Sequence, residues 1–140
     1  MAGIVSLAGR ETMIHEFLDA NAVTVRLNSA SGVTLNADTT VIGDMTELDD
    51  ADYSAQTIAA EASWDVSNTE GVTTFTPAAN DGVVTFELDG SEFSAYHYYV
   101  TYNDGTNDVL LWAEELDPAL VDSVVQTIQI TIRLRVQNPS

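Results

Sequence analysis

From Ile128 to Val136 the chain alternates without a break: Ile128, Ile130, Ile132, Leu134 and Val136 are apolar, and Gln129, Thr131, Arg133 and Arg135 between them are polar. A period of two places alternate side chains on opposite faces of extended backbone, so the run predicts a strand with one buried face. Carried back to Val124, it would reach about 40 Å at ~3.3 Å per residue, well beyond the usual strand of about 5 or 6 residues. Either a bulge interrupts it or its end leaves the domain. The expectation adopted is that residues 124–140 form a long terminal strand or arm pairing with a neighbouring subunit, with a bulged strand inside one domain as the alternative.

The same period recurs upstream. Val23, Val25 and Leu27 alternate with Thr24, Arg26 and Asn28, and the Ser-Ala-Ser-Gly that follows closes this first strand. Short β-rich runs follow at Ile58 to Val66, Val72 to Phe75 and Val83 to Leu88, and Pro77, which lacks an amide hydrogen, ends the second of them. Only the N-terminal part breaks the pattern: Met13, Ile14, Phe17 and Leu18 fall at helical spacing, so residues 1–22 are read as a short helical segment covering an edge or end of a sheet. The polar stretch from Val33 to Asp52, with its acidic Thr-Glu-Leu-Asp-Asp-Ala-Asp, reads as a long surface loop containing a helical turn.

The stretch YHYYVTYNDGTNDVLLWAEEL, from Tyr96 to Leu116, reads as a hairpin turning at Asn-Asp-Gly-Thr-Asn-Asp. Tyr96, Tyr98, Val100 and Tyr102 share one face, and Tyr99 lies on the other between His97 and Thr101. Apolar content on both faces argues for a strand pair covered on each side. Short strands with closely spaced turns and one leading helix predict a mainly β chain: an antiparallel β-sandwich or jelly roll in a single domain over residues 1–140, with one short N-terminal helix.

Charge narrows the partners. The 140 residues carry 22 acids and four bases, all arginine, for a net charge of -18, and lysine is absent. Binding to nucleic acid or to an anionic membrane draws its electrostatic term from lysine and arginine, so neither is expected. Self-repulsion at this charge is relieved by salt, which makes a high-salt habitat one expectation and an ordinary acidic soluble protein the other. Cysteine is absent, which excludes disulfides and thiolate metal sites. The first residues lack both a basic start and a long apolar run, so neither a signal peptide nor a membrane span is expected there.

Catalytic signatures are missing. Glu114 with Glu115, Asp49, Asp50 and Asp52, and Asp104 with Asp108 are the carboxylate pairs on which acid-base chemistry would rest. A chain this acidic produces such pairs by chance, and nothing in the sequence separates their pKa values. The acidic loop and the hairpin turn lack the calcium-loop spacing, and His15 and His97 are too few for zinc. No nucleophile elbow, metalloprotease motif or phosphate loop occurs. The expectation is a non-enzyme with no catalytic residues, metal or cofactor.

The order of elements resembles a group of small structural proteins from the head and tail modules of tailed bacterial or archaeal viruses. The resemblance rests on the first strand Val23 to Asn28, Thr39-Thr40, Asp52-Tyr53-Ser54-Ala55, Phe75-Thr76-Pro77, Tyr98-Tyr99-Val100-Thr101 and Leu111-Trp112-Ala113-Glu114. It departs at His97, where such sequences often carry glycine, and at Arg26, where a small residue is commoner. It implies a capsid decoration (cement) protein on the outer surface of an icosahedral head, partnered by the major capsid protein and by copies of itself. A tail or receptor-binding component that uses the tyrosine-rich hairpin on glycans is the alternative. Interface candidates are Phe17, Tyr98, Tyr99, Trp112, Arg133 and Arg135.

Overall fold

In a computed structural model, residues 6–36, 39–60 and 63–137 are described. The chain starts with helix α1 (Leu7–Ala20). Its N-terminus is set by Ser6, whose side chain accepts the Gly9 amide at 3.0 Å, satisfying one of the amides that the first turn leaves unpaired. Its end is set by Asn21, which turns extended while its amide and its Nδ2 both donate to the Phe17 carbonyl. Leu18 is fully buried. Met13, expected on the apolar face, is exposed, and the position one turn before Ile14 that faces inward is instead Arg10. Its guanidinium donates to Thr73 Oγ1 at 2.9 Å and to the Gly71 carbonyl.

The rest is β, in antiparallel sheets, as the alternation predicts, and α1 is the one α-helix among the described residues. No helix among them is long and apolar enough to cross a membrane. The strands are β1 (Val23–Asn28), β2 (Gln56–Ile58), β3 (Trp64–Thr69), β4 (Val72–Pro77), β5 (Val83–Glu87), β6 (Phe93–Asn103), β7 (Asp108–Ser123), β8 (Thr127–Thr131) and β9 (Leu134–Gln137). They form a four-stranded sheet in the order β2-β1-β6-β7, a three-stranded sheet β3-β4-β9 and a β5-β8 ribbon.

The chain divides into two compact units. The first takes residues 1–22, 59–84 and 130–140, hence α1 and the three-stranded sheet. Phe75 lies at its centre, fully buried, with the His15 ring edge-on to it at 5.0 Å, and Leu18, Ile132, Leu134 and Trp64 are buried in the same unit. The second takes residues 23–58 and 85–129 and contains the four-stranded sheet. Its core is Val23, Val25 and Leu27 from β1 with Ala95, Tyr98 and Val100 from β6, together with Phe86 and Leu88.

Two sequence readings change. The run from Ile58 to Val66 is not one strand but two, β2 and β3, in different sheets. The terminal run does not leave the chain as a free arm but pairs with its own strands. Its alternation does give the buried face, since Ile128, Ile130, Ile132 and Leu134 are all buried, but it breaks after Thr131 and pairs within its own chain. β8 lies beside β5, and β9 pairs with β4 from Phe75 opposite Leu134 to Val72 opposite Gln137. The four apolar side chains are thus covered inside the protein, which removes the need for a companion to bury them. Residues 138–140 of the expected arm lie outside the described residues.

Candidate functional site

The tyrosine-rich hairpin is β6 and β7, and its turn is closed by its own polar side chains. Asn103 Oδ1 accepts the Gly105 amide at 2.8 Å, and Asp104 Oδ1 accepts Thr106 and Asn107 at 2.9 and 2.8 Å. Gly105 takes the positive φ that the turn requires. The amides of Asn107 and Thr106 hold the Asp104 carboxyl below the usual carboxylate range. These bonds are the turn chemistry expected of Asn, Asp and Gly. Among the described residues no three His, Asp or Glu side chains gather closely enough to hold a metal ion.

Register sorts the hairpin into faces. Leu27 lies opposite Tyr98, and Tyr98 opposite Glu114, so these share a side with Val25, Val100 and Trp112. There the Tyr98 hydroxyl donates to Glu114 Oε2 at 3.0 Å and accepts Trp112 Nε1–H at 3.2 Å. Arg26, Tyr99, Thr101 and Ala113 share the opposite side. Both sides are covered, as expected, but by the chain's own residues. Tyr98 and Tyr99 are each only 3% exposed, so these two interface candidates are buried within the chain itself.

What covers the second side is the segment read as a surface loop. It holds the expected helical turn, a 3-10 turn at Ile42–Asp44, but Met45 and Leu48 are buried. Arg26 donates to both Glu47 oxygens at 2.9 and 3.1 Å, lies 3.6 Å from Asp108 and donates to Thr101 Oγ1. The Tyr53 hydroxyl donates to Glu47 Oε2 and accepts the Leu27 amide, a backbone group left without a strand partner where β2 stops at Gln56. Burial, with Glu47 adding to it, pushes the Tyr99 hydroxyl up to about 12, and burial also raises Tyr53. Asp50 Oδ1 accepts the amides of Asp52 and Asp89. The acidic run therefore ties loops together. An open recess of about 490 Å³ bordered by Arg26, Glu47, Asp50 and Tyr53 holds a cation already matched by carboxylates.

The outer side of β7 differs. β7 is the last strand of its sheet, and among the described residues no strand pairs with its outer edge. Beside Leu110 to Ala113 the edge borders a groove of about 330 Å³ whose other wall is Leu35, Asn36 and Thr40. A bulge between Leu110 and Trp112, where the partner steps from Thr101 to Val100, skips Leu111. Further along, Val121, Val124 and Val125 are 56%, 63% and 44% exposed, a run of apolar side chains in water.

Of the sequence candidates, Tyr98 and Trp112 come together directly, Trp112 Nε1–H donating to the Tyr98 hydroxyl, and Trp112 is half-buried in the groove wall. Phe17 is half-buried on α1. Arg133 and Arg135 are exposed, at and just before β9, the edge strand of the other sheet. Sequence reasoning missed Tyr53, Glu47 and Asn28. Only the departures at Arg26 and His97 signalled them, because each places a charge or an imidazole where it needs a buried partner. Family models, curated proteins and solved structures were all compared with the chain, and none matches it.

Proposed function

We propose that this chain is a non-enzymatic structural protein of a virion, a decoration subunit that binds the outside of an icosahedral head and stabilises contacts between capsomers. The observation that carries the reading is the open outer edge of β7, ending in the exposed Val121, Val124 and Val125. Long exposed edges and contiguous apolar side chains are features that monomeric proteins suppress, and their presence fits a surface covered by a partner. The polar groups of the hairpin and acidic loop support the same reading. Glu47, Glu114, Tyr53 and Asp50 are engaged in bonds that hold the fold, and among the described residues no buried side-chain nitrogen or oxygen lacks a hydrogen-bond partner. The virion itself rests on the order of sequence motifs. On a repeating lattice, many modest contacts of this kind add up through multivalency.

Purified chain mixed with undecorated heads should cosediment with them. The double substitution Val121→Asp and Val124→Asp, at exposed positions, should abolish cosedimentation without changing the melting temperature. Failure of the unmodified chain to bind heads overturns the reading. The groove formed by Trp112, Asn36 and Thr40, an aromatic ring beside polar groups, favours the tail or glycan-binding alternative, and specific binding on a glycan array would establish it.

A further inference from the structure

Two edge strands of this chain carry charges of opposite sign. Of the four bases, Arg10 is buried against Thr73, and Arg26 is held by Glu47 and Asp108. Arg133 and Arg135 are exposed. Arg135 lies in β9 and Arg133 one residue before its start, at the outward positions between and after the buried Ile132 and Leu134. They belong to the edge next to β4: β9 has a strand neighbour on one side only among the described residues. β2, β3, β5 and β8 are end strands as well, but β7 is the one that carries two exposed carboxylates two residues apart, Glu115 and Asp117, where its pairing with β6 becomes irregular.

We infer that the chain self-associates head to tail, the β9 edge of one copy pairing with the β7 edge of the next, with Arg133 and Arg135 against Glu115 and Asp117. Main-chain hydrogen bonds between two open edges provide the pairing, and the side chains set its register and partner. The net charge of -18 makes any two copies repel at a distance, so association needs a local patch of opposite sign. The exposed arginine pair is such a patch. Pairing of β7 with another β7 would set carboxylates against carboxylates and is disfavoured for the same reason. An arginine-carboxylate contact also brings charge-assisted hydrogen bonds that an unpaired edge lacks. This contact is independent of any virion, since it requires only copies of the chain.

The test is sedimentation velocity on the full chain over a range of concentrations at fixed ionic strength, together with two charge-reversed variants, Arg133→Glu with Arg135→Glu and Glu115→Arg with Asp117→Arg. The unmodified chain should associate. Each variant alone should lose about tenfold to a hundredfold in association constant, and an equimolar mixture of the two should regain it, because their edges are again complementary. Circular dichroism checks folding, and Arg133→Gln with Arg135→Gln replaces a reversal that fails to fold and should show a similar loss. A monomeric unmodified chain, association indifferent to the reversals, loss confined to the acidic-edge variant, or a mixture that stays apart would each overturn the pairing.

Discussion

One amide side chain, Asn28, makes four hydrogen bonds to three residues. Its Oδ1 accepts the amides of Ala30 and Thr46 at 3.0 and 2.8 Å, and its Nδ2 donates to the Ala30 carbonyl and to His97 Nδ1 at 3.0 Å. An oxygen taking two amide hydrogens fixes which way the group faces, so His97 Nδ1 is an acceptor and the ring is neutral with its proton on Nε2. Asn28→Ala would strand buried groups on β1, β6 and the adjoining loop, and denaturant melts should show a loss of about 2 to 4 kcal/mol. Burial lowers the His97 pKa from its ordinary value, opposed by Glu115 across the strand pair and by a hydrogen bond to the Val33 backbone. The unfolded chain takes up a proton below pH ~6.5 that the folded chain excludes, so stability is complete above that pH and declines as the pH falls toward the depressed folded value. Imidazole NMR should place the His97 midpoint below ~6.5, and His97→Gln, which keeps an acceptor, should flatten that part of the stability curve. Gly82 makes a different residue-scale demand. Its φ is +80°, and a methyl group there would run into Thr76 Cγ2. Gly82→Ala should therefore cost about 2 to 4 kcal/mol by combining backbone strain with overpacking. Gly32→Ala, at a φ of +77° but facing open space, should cost only the strain, and the difference between their melting curves measures the clash.

Elements were legible where a period was long and one-faced. Val23 to Asn28, the hairpin and the buried face of Ile128 to Leu134 could all be read from alternation, and α1 from helical spacing. The break after Thr131 was not legible, because alternation specifies which side chains are buried and is blind to which neighbour supplies the backbone partner. The same blindness hid the covering of the hairpin. Polarity marked residues 33–52 as solvated loop, yet Met45 and Leu48 pack inward and Tyr53 completes the edge of β1 where β2 ends. Paired tyrosines looked like an interface because their hydroxyls suit water and core alike, and only the partners Glu114 and Trp112 decide for the interior at Tyr98. Tyr53→Phe isolates the loop's part in the sheet. It removes the acceptor for the Leu27 amide and the donor to Glu47, and chemical denaturation should register a loss of about 1 to 3 kcal/mol. Ile132→Ala, a fully buried truncation between β8 and β9, should cost about 2 to 5 kcal/mol.

For the whole molecule, charge is the dominant condition. With 22 acids and two of four arginines already engaged as described above, repulsion among surface carboxylates opposes compactness in dilute buffer. Screening shortens its reach from about 10 Å at 0.1 M salt to about 3 Å at 1 M. The melting temperature should therefore rise between 0.1 and 1 M sodium chloride, and a flat profile by calorimetry would show that the excess charge is thermodynamically silent. The route of the chain adds a consequence in time. The three-stranded sheet is closed by β9, while α1 and β4 of the same unit are made earlier, with β5 to β8 between them. On a ribosome, α1 and β4 must wait for β9 to emerge before their sheet can close, so this unit cannot be completed until β6 and β7 of the other unit have been made.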